Sequence, residues 1–412
     1  MSEFINNTEN RINDLTAFVN GLINKEKGSE LIKQYADAID HVQPFDVVAM
    51  VDRLMKQNLN IEEVKSAVNK ALNMLYKGLV SAEIPDYSAI PFLGSMVREN
   101  NELNHRLMEM RPLIKAFNQK NMDVEARQDI LNEISDRVFE LQQFEVHYVK
   151  KENILFPYIE KFLKEYGCLP LMWAYHDDIR RFAKEIIEII DNENTDLKRL
   201  NRLLGDLFFV MYAIRFREEY ILFPVIFSLI PDTVWDEMMK QSMEEGFAFI
   251  EKPDLVTIAA ERKTKNNETQ QVATITDPNA VLDMGTGLLK LEQAVMMLNH
   301  LPVDMTFVDE NDEVRYFSTP GHRIFPRSKA IIGRLVENCH PPSSVHIVKE
   351  LLDAFKAGTK TKESFWIQMG TKFILIQYFA VHDVNGNYKG TLEVSQDISE
   401  IKMLEGEKRL MD

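Results

Sequence analysis

Histidine and glutamate side chains recur inside two apolar segments that an internal repeat relates. The segments are FEVHYVKKENILFP at residues 144–157 and IRFREEYILFP at residues 214–224, and both end in Leu-Phe-Pro. Alignment on this ending pairs three positions: Glu152 with Glu219, Lys151 with Glu218, and His147 with Ile214. Charged groups on an apolar face are costly to bury unless they meet a partner. Because carboxylates and imidazoles are both metal ligands, the pattern predicts a metal ion between the helices.

Four helices separated by short polar turns must position these side chains. Apolar residues at helical spacing predict them at 91–118, with a break or kink near Pro112, and at 124–165, 171–192 and 197–227. This order is typical of an up-down-up-down bundle whose polar residues project inward. A further amphipathic helix is predicted over 231–249.

Length and composition restrict the function classes. A chain of 412 residues predicts two to four domains, and the net charge of -16 argues against a nucleic-acid or anionic-membrane surface. The cysteines, Cys168 and Cys339, have no paired spacing, which argues against a disulfide framework or a thiolate zinc site and favours a reducing compartment. The polar N-terminus is no signal peptide, and the run 207–214 is too short to cross a bilayer. We therefore predict a cytoplasmic protein.

Changes of pattern along the chain predict five segments. They are a helical module at 1–82, a four-helix bundle at 85–250, a linker at 251–287 that includes the polar stretch 261–271, an α+β domain at 288–400, and the start of a helix at 401–412.

The α+β domain is predicted from short alternating runs. The predicted strands are 303–308, 314–317, 363–369, 373–381 and 388–394, with an Asn-Gly turn at 385–386. They form one five-stranded antiparallel sheet with helices over one face. Ahead of it, Leu288 to Leu298 predicts an amphipathic helix whose stripe of Leu288, Leu291, Val295 and Leu298 suits a parallel helix pair, and hence a homodimer.

The repeated motifs resemble the paired motifs of hemerythrin-like, HHE cation-binding domains over roughly residues 85 to 250. The resemblance implies a bundle that holds two irons with histidine and carboxylate ligands and that binds or senses oxygen, nitric oxide or iron. The implied metal ligands, with one or two irons, are Glu102, His105, His147, Glu152, His176 and Glu218.

This sequence departs from the family pattern at two positions. Lys151 stands where the family has a carboxylate, and Ile214 stands where it has a histidine. Plainer interpretations remain open: Glu219 pairs with Arg215 along its own helix, and His147 shares a solvated stripe with the adjacent lysines. The site is then dinuclear, mononuclear or lost.

Residues from about 288 to 400 resemble a PAS domain, ending in the segment EVSQDIS at 393–399. Haem-binding members carry a proximal histidine on the helix beside the ligand cavity, where His346 stands here. His322 and His340 are alternative haem ligands. The N-terminal module resembles an uncharacterised domain that precedes such bundles in bacterial proteins.

Together these features predict a sensor rather than an enzyme. It would bind iron or another metal in the bundle and a ligand such as haem in the PAS domain, report oxygen, nitric oxide, redox or haem status, and act on a downstream signalling protein. The alternatives are a protein that handles iron or nitric oxide, or repairs iron centres with redox activity, and a metal-free interaction scaffold.

Overall fold

Two compact units, residues 1–254 and 255–412, make up the chain in the computed structural model. The residues that the structure describes are 2–119, 122–191, 196–253, 278–321 and 323–407. The predicted linker stretch 261–271, His322 and residues 408–412 lie outside the described residues.

The first unit is helical throughout its described residues. The N-terminal module contains α1 (Ser2–Ile23), α2 (Gly28–Gln34), α3 (Ala36–Asp40), α4 (Pro44–Met55) and α5 (Ile61–Ser81). The bundle contains α6 (Pro91–Phe117), α7 (Val124–Gln142), α8 (Glu145–Lys150), α9 (Phe156–Phe162), α10 (Cys168–Ile190), α11 (Leu197–Arg217) and α12 (Phe223–Leu229), followed by α13 (Asp232–Glu245). None of these described helices is long and apolar enough to cross a membrane.

Local sequence explains where several helices begin and how they continue. Pro44 opens α4, and the side chain of Asn60 accepts a hydrogen bond from the backbone of Glu62 at the start of α5. Helix α6 runs through Pro112 without the predicted interruption. Pro112 removes only one backbone donor, and its ring lies on the exposed side.

A π-helical turn interrupts each copy of the repeat. In the turn Lys151–Leu155, the backbone N–H of Phe156 donates to the carbonyl of Lys151, and Phe223 donates to Glu218 in the equivalent turn Glu218–Leu222. Proline follows each phenylalanine and cannot continue α-helical hydrogen bonding, because it lacks an N–H and its ring clashes with the preceding turn. The wider π turn accommodates the proline and joins α8 to α9 and α11 to α12 as continuous helices.

The N-terminal module packs directly on the bundle within the first unit. The backbone N–H of Gly167 donates to Asp52 Oδ1 at 3.0 Å, and Tyr175 Oη donates to Asn69 Oδ1 at 2.7 Å. A Cβ at Gly167 would lie 2.9 Å from the Asp52 Cα, so only glycine permits this approach.

The second unit has the predicted five-stranded antiparallel sheet. Its elements are the hairpin β1 (Val281–Asp283) and β2 (Leu288–Lys290), α14 (Leu291–His300), β3 (Asp304–Asp309), β4 (Val314–Phe317), α15 (Pro342–Lys356), β5 (Lys362–Met369), β6 (Lys372–His382) and β7 (Tyr388–Asp397). The sheet order is β4-β3-β7-β6-β5, and Val308 of β3 and Val314 of β4 form a small core with Ile331.

Two predicted boundaries in this unit differ from the structure. The helix expected from Leu288 begins at Leu291, because Leu288–Lys290 pairs with Val281–Asp283. At the C-terminal end, a short 3₁₀ turn, Ile401–Met403, stands where a helix was expected to start, and the described chain continues irregularly to residue 407.

Candidate functional site

A buried cluster of charged side chains joins the helices of the bundle. Its buried members are Glu99 from α6, His147 and Lys150 from α8, Lys151 and Glu152 from the first π turn, His176 from α10, and Glu218 from the second π turn. The half-buried Arg180 of α10 joins them from the edge. Three consecutive residues, 150 to 152, are buried together. Successive residues of a regular α-helix point about 100° apart, so the π turn helps to keep all three inside.

His147 bridges two buried carboxylates. Its Nδ1 lies 2.7 Å from Glu99 Oε2, and its Nε2 lies 3.0 Å from Glu218 Oε2. Both ring nitrogens of His147 therefore face carboxylate oxygens.

Each of these two carboxylates also has its own lysine. Lys150 Nζ donates to Glu99 Oε1, and Lys151 Nζ donates to Glu218 Oε1. Asn100 Nδ2 adds a hydrogen bond to Glu218 Oε2 at 2.9 Å.

The pKa values in this half of the cluster follow from burial and charge. Burial by itself raises the pKa of Glu218, but Lys151 and His147 outweigh it and lower that pKa to about 2. The pKa of Glu99 is likewise raised by burial but lowered overall by His147 and Lys150. Burial lowers the pKa of both lysine ammonium groups, and the charges of Glu99 and Glu218 oppose this effect.

Glu152 has a separate set of partners. His176 Nδ1 donates to Glu152 Oε1 at 2.6 Å, and Arg180 Nη2 lies 3.0 Å from each carboxylate oxygen. Burial raises the pKa of Glu152 to about 8 against the opposing charge of Arg180. The pKa of His176 lies well below its ordinary value because of burial and the nearby cations, so the ring is neutral. Its Nε2 is buried and has no hydrogen-bond partner among the described residues.

The segment after α13 closes the cluster on the side of Glu99. The backbone N–H of Ala248 donates to Glu99 Oε1 at 2.8 Å, and the ring of Phe247 lies 4.3 Å from Lys150 Nζ. Phe249 has a left-handed backbone (φ 61°) and stacks on Phe144. This segment shields the ion pairs from water.

Comparison with known families finds a match to part of each unit. Residues 93–226 match the hemerythrin HHE cation binding domain, and residues 295–399 match a PAS domain. The chain carries a hemerythrin HHE domain and a PAS domain. The sequence matches none of the curated proteins with which it was compared.

Two solved structures resemble parts of the chain. A crystal structure of a C-terminal domain from Streptococcus mutans is 35% identical, and the match covers 31% of this chain and 100% of that one, with a TM-score of 0.30. A PAS domain structure from Colwellia psychrerythraea is 20% identical, and the match covers 27% of this chain and 98% of that one, with a TM-score of 0.22.

The hemerythrin HHE family implies iron, but the side chains of the buried cluster do not fit a dinuclear metal centre. All three buried carboxylates already hold a side-chain cation, and both nitrogens of His147 face carboxylates. His176 Nε2 is left as a single nitrogen with a free lone pair. Across the described residues, no group of three or more His, Cys, Asp or Glu side chains is arranged to hold a metal ion.

The structure brings four of the six predicted metal ligands into the cluster and leaves two outside it. His147, Glu152, His176 and Glu218 are in the cluster. Glu102 instead pairs with Arg106 on the half-exposed side of α6, and the exposed His105 faces Glu109 at 3.6 Å. The interpretation of His147 as part of a solvated stripe is wrong, since the ring is fully buried.

Sequence reasoning missed Glu99 and Asn100, although the helical period of α6 contains the signal for them. The buried apolar residues of α6 include Met96, Leu103 and Leu107, and Glu99 and Asn100 lie on the same face at spacings of three and four. Glu102 and His105 share a face with each other, but that face points away from the bundle interior. The interpretation that Glu219 pairs with Arg215 along its own helix agrees with the structure, because Arg215 Nε lies 2.9 Å from Glu219.

In the PAS domain, the predicted haem ligand His346 lies exposed on α15. His340, in the turn before α15, is partly buried, and its Nδ1 donates to the carbonyl of Val336 at 2.8 Å. Burial lowers the pKa of His340, so the ring is neutral with its lone pair on Nε2.

Proposed function

We propose that the chain is a sensor or signalling protein that binds its ligand in the PAS domain, while the hemerythrin HHE bundle uses a metal-free ion network. The occurrence of these two domain families in one chain supports the sensory role. The observation that carries the metal-free interpretation of the bundle is the pairing of every buried carboxylate of the cluster with a lysine or arginine.

Charge balance explains why a side-chain cation and a metal compete for this site. A dinuclear centre needs several carboxylates and neutral imidazoles whose lone pairs face the ions. Here the ammonium groups of Lys150 and Lys151 lie against Glu99 and Glu218, and both ring nitrogens of His147 face those same carboxylates. A metal would have to displace these cations inside a dry interior, where their repulsion is strong.

The metal content of the whole chain tests this proposal. We expect protein purified without chelators to contain less than one equivalent of non-haem iron, and EDTA to leave its melting temperature unchanged. Titration with Co²⁺ should give no d–d absorption bands beyond those of aqueous Co²⁺ for the wild type. Two tightly held irons per chain, or a large loss of stability in EDTA, would contradict the metal-free interpretation.

For the PAS domain we propose haem as the ligand and His340 as its axial residue in place of His346. A hydrogen bond from Nδ1–H to a backbone carbonyl is the usual way that a ligating histidine is oriented, and His340 makes one to Val336. A neutral imidazole can be the only protein ligand to haem iron and leaves the opposite face for oxygen or nitric oxide.

Haem titration of the full chain separates the two histidines. We expect a shifted Soret band that persists in His346→Ala and is lost in His340→Ala. The reverse pattern would return the ligand role to His346. An unshifted spectrum for the wild type would remove haem from the proposal and leave the sensory role with another PAS ligand.

A further inference from the structure

A cavity in the first unit lies between α5 of the N-terminal module and α11 of the bundle. Its volume is about 200 Å³. Its walls combine amide, aromatic and guanidinium groups: Asn69, Tyr76, Phe209, Tyr212, Phe216 and Arg217. None of the described residues that line it is acidic.

Arg217 is a buried cation without an anionic partner among the described residues. Its side chain donates from Nη2 to Asn69 Oδ1 and, at 3.1 Å, to Tyr175 Oη, and it lies 4.4 Å from the centre of the Tyr175 ring. Its Nε is buried and has no acceptor among the described residues. The residue is 7% exposed.

The other buried cations of this unit differ in this respect. Lys65 pairs with Asp178, Lys150 with Glu99, and Lys151 with Glu218. Arg217 alone among the described buried cations of the first unit has no carboxylate within ion-pair distance. A guanidinium stays charged at physiological pH, and a buried charge without a counterion is strongly unfavourable.

We propose that this cavity binds a small organic carboxylate, with its anionic group on Arg217 and its apolar body against the aromatic wall. The planar guanidinium fork matches a carboxylate in shape and charge. Tyr76 stacks on Phe216 with ring centres 5.4 Å apart, and both Tyr76 and Phe209 expose much of their surface. These rings supply a surface for a flat or aliphatic ligand body, and the small volume excludes large ligands.

The ligand site adjoins the buried ion network. Arg217 directly precedes Glu218, the first residue of the second π turn. The proposed anion site thus includes the last residue of α11, and the lysine-paired carboxylate belongs to the residue that follows it. The proposed ligand is independent of any ligand of the PAS domain.

Calorimetric titration of the full chain with benzoate tests the proposal. We expect saturable binding by the wild type and affinity at least about tenfold weaker in Arg217→Gln, since a charged hydrogen bond is lost. Arg202→Gln is the matched control, because Arg202 is exposed on the same helix. Unchanged affinity in Arg217→Gln, or absence of saturable binding by the wild type, overturns the proposal.

Two further measurements keep the test decisive if Arg217→Gln folds poorly. Tyr76→Ala removes an exposed aromatic wall and should weaken benzoate binding while leaving the weaker acetate binding nearly unchanged. Equal effects on both ligands would contradict the assigned role of the wall. Inorganic phosphate is the competing anion, and binding of phosphate without benzoate would overturn the carboxylate assignment.

Discussion

Lys151 and Glu218 occupy equivalent positions in the two copies of the repeat, and they form an ion pair with each other. Equivalent positions meet because the two helices face one another across the bundle interior. A carboxylate in both copies would place two like charges together, as a metal centre requires. Lys151 in the first copy instead neutralises the carboxylate of Glu218 in the second copy. A single residue difference therefore changes the chemistry of the interior.

Lys151→Met should destabilise the bundle strongly, because it leaves the ionised Glu218 buried without its cation. We expect the free energy of unfolding to fall by about 3–5 kcal/mol in urea denaturation. The exposed Lys184→Met is the control and should change it by less than about 1 kcal/mol. The double variant Lys151→Met/Glu218→Gln should recover much of the loss, and failure to recover would show that packing, not charge, causes it.

The low pKa of Glu218 predicts that the free energy of unfolding depends on pH. Its pKa is about 2 in the folded chain against an ordinary 4.5, so its contribution is complete above pH 4.5 and is lost as pH falls toward 2. The loss from this carboxyl amounts to roughly 3 kcal/mol.

Unfolding free energies measured between pH 2 and 6 check this expectation. Glu218→Gln should flatten the curve relative to the wild type over this range, whereas the exposed Glu188→Gln should leave it unchanged. A curve for Glu218→Gln that matches the wild type would mean that other carboxyls set the acid sensitivity.

How much of the cluster could be predicted depended on the residue. The repeat and its apolar setting were enough to single out His147, Glu152 and Glu218. The ion pairs could not be predicted, because they depend on which neighbours the π turns bring inward. In α6 the helical spacing of the buried apolar residues indicated that Glu99 faces the bundle interior. The spacing of Glu102 and His105, however, resembled a pair of metal ligands.

At the scale of elements, the π turns are what allow adjacent residues to face the interior. Each turn ends at a Phe-Pro pair, which ties the wider hydrogen-bonding pattern to a local sequence feature. The sequence predicted the helices on either side but not the π turns. Hydrophobic spacing alone does not distinguish a π turn from an α-helix over five residues.

Pro157→Ala tests whether proline sustains the first π turn. Alanine supplies the missing N–H and allows an α-helical register in which Lys151 and Glu152 no longer face inward together. We therefore expect a lower free energy of unfolding, even though helix propensity alone favours alanine by about 3 kcal/mol. Thermal and urea denaturation measure the effect.

Pro91→Ala is the matched control, since Pro91 occupies the first turn of α6 and interrupts no hydrogen bond. It should change stability by less than about 1 kcal/mol. A gain of stability in Pro157→Ala would show that the ion network survives in an α-helical register.

At the scale of the whole molecule, the order of domains followed from composition and period, and both family matches agree with it. The packing of the N-terminal module on the bundle was not predicted. The contacts that join them, such as Lys65 with Asp178, link residues far apart in the sequence. The sequence around Lys65 does not indicate that its partner is Asp178, nor does the sequence around Asp178 indicate Lys65.

The described surface of α14 supports the proposal of a homodimer. Val295, Met296 and Met297 are exposed, and no residue of this helix is buried within the chain. An apolar helix face that the described residues of its own chain leave exposed is suited to a second copy. Val295→Glu should therefore convert a dimer to a monomer in light scattering at micromolar concentration.

Gln293 is an exposed residue of the same helix, so Gln293→Glu is the control for added charge. This variant should remain a dimer. A wild-type chain that is monomeric across this concentration range would rule out a stable dimer.

The lysines of the buried cluster also have a consequence for how the protein matures in the cell. A metal centre must be loaded after synthesis and depends on the supply of that metal. Lys150 and Lys151 arrive with the nascent chain, so the bundle gains its interior counterions as it folds. Under the proposed metal-free interpretation, assembly of the bundle would not depend on the iron supply, and oxidative loss of a metal would not inactivate it.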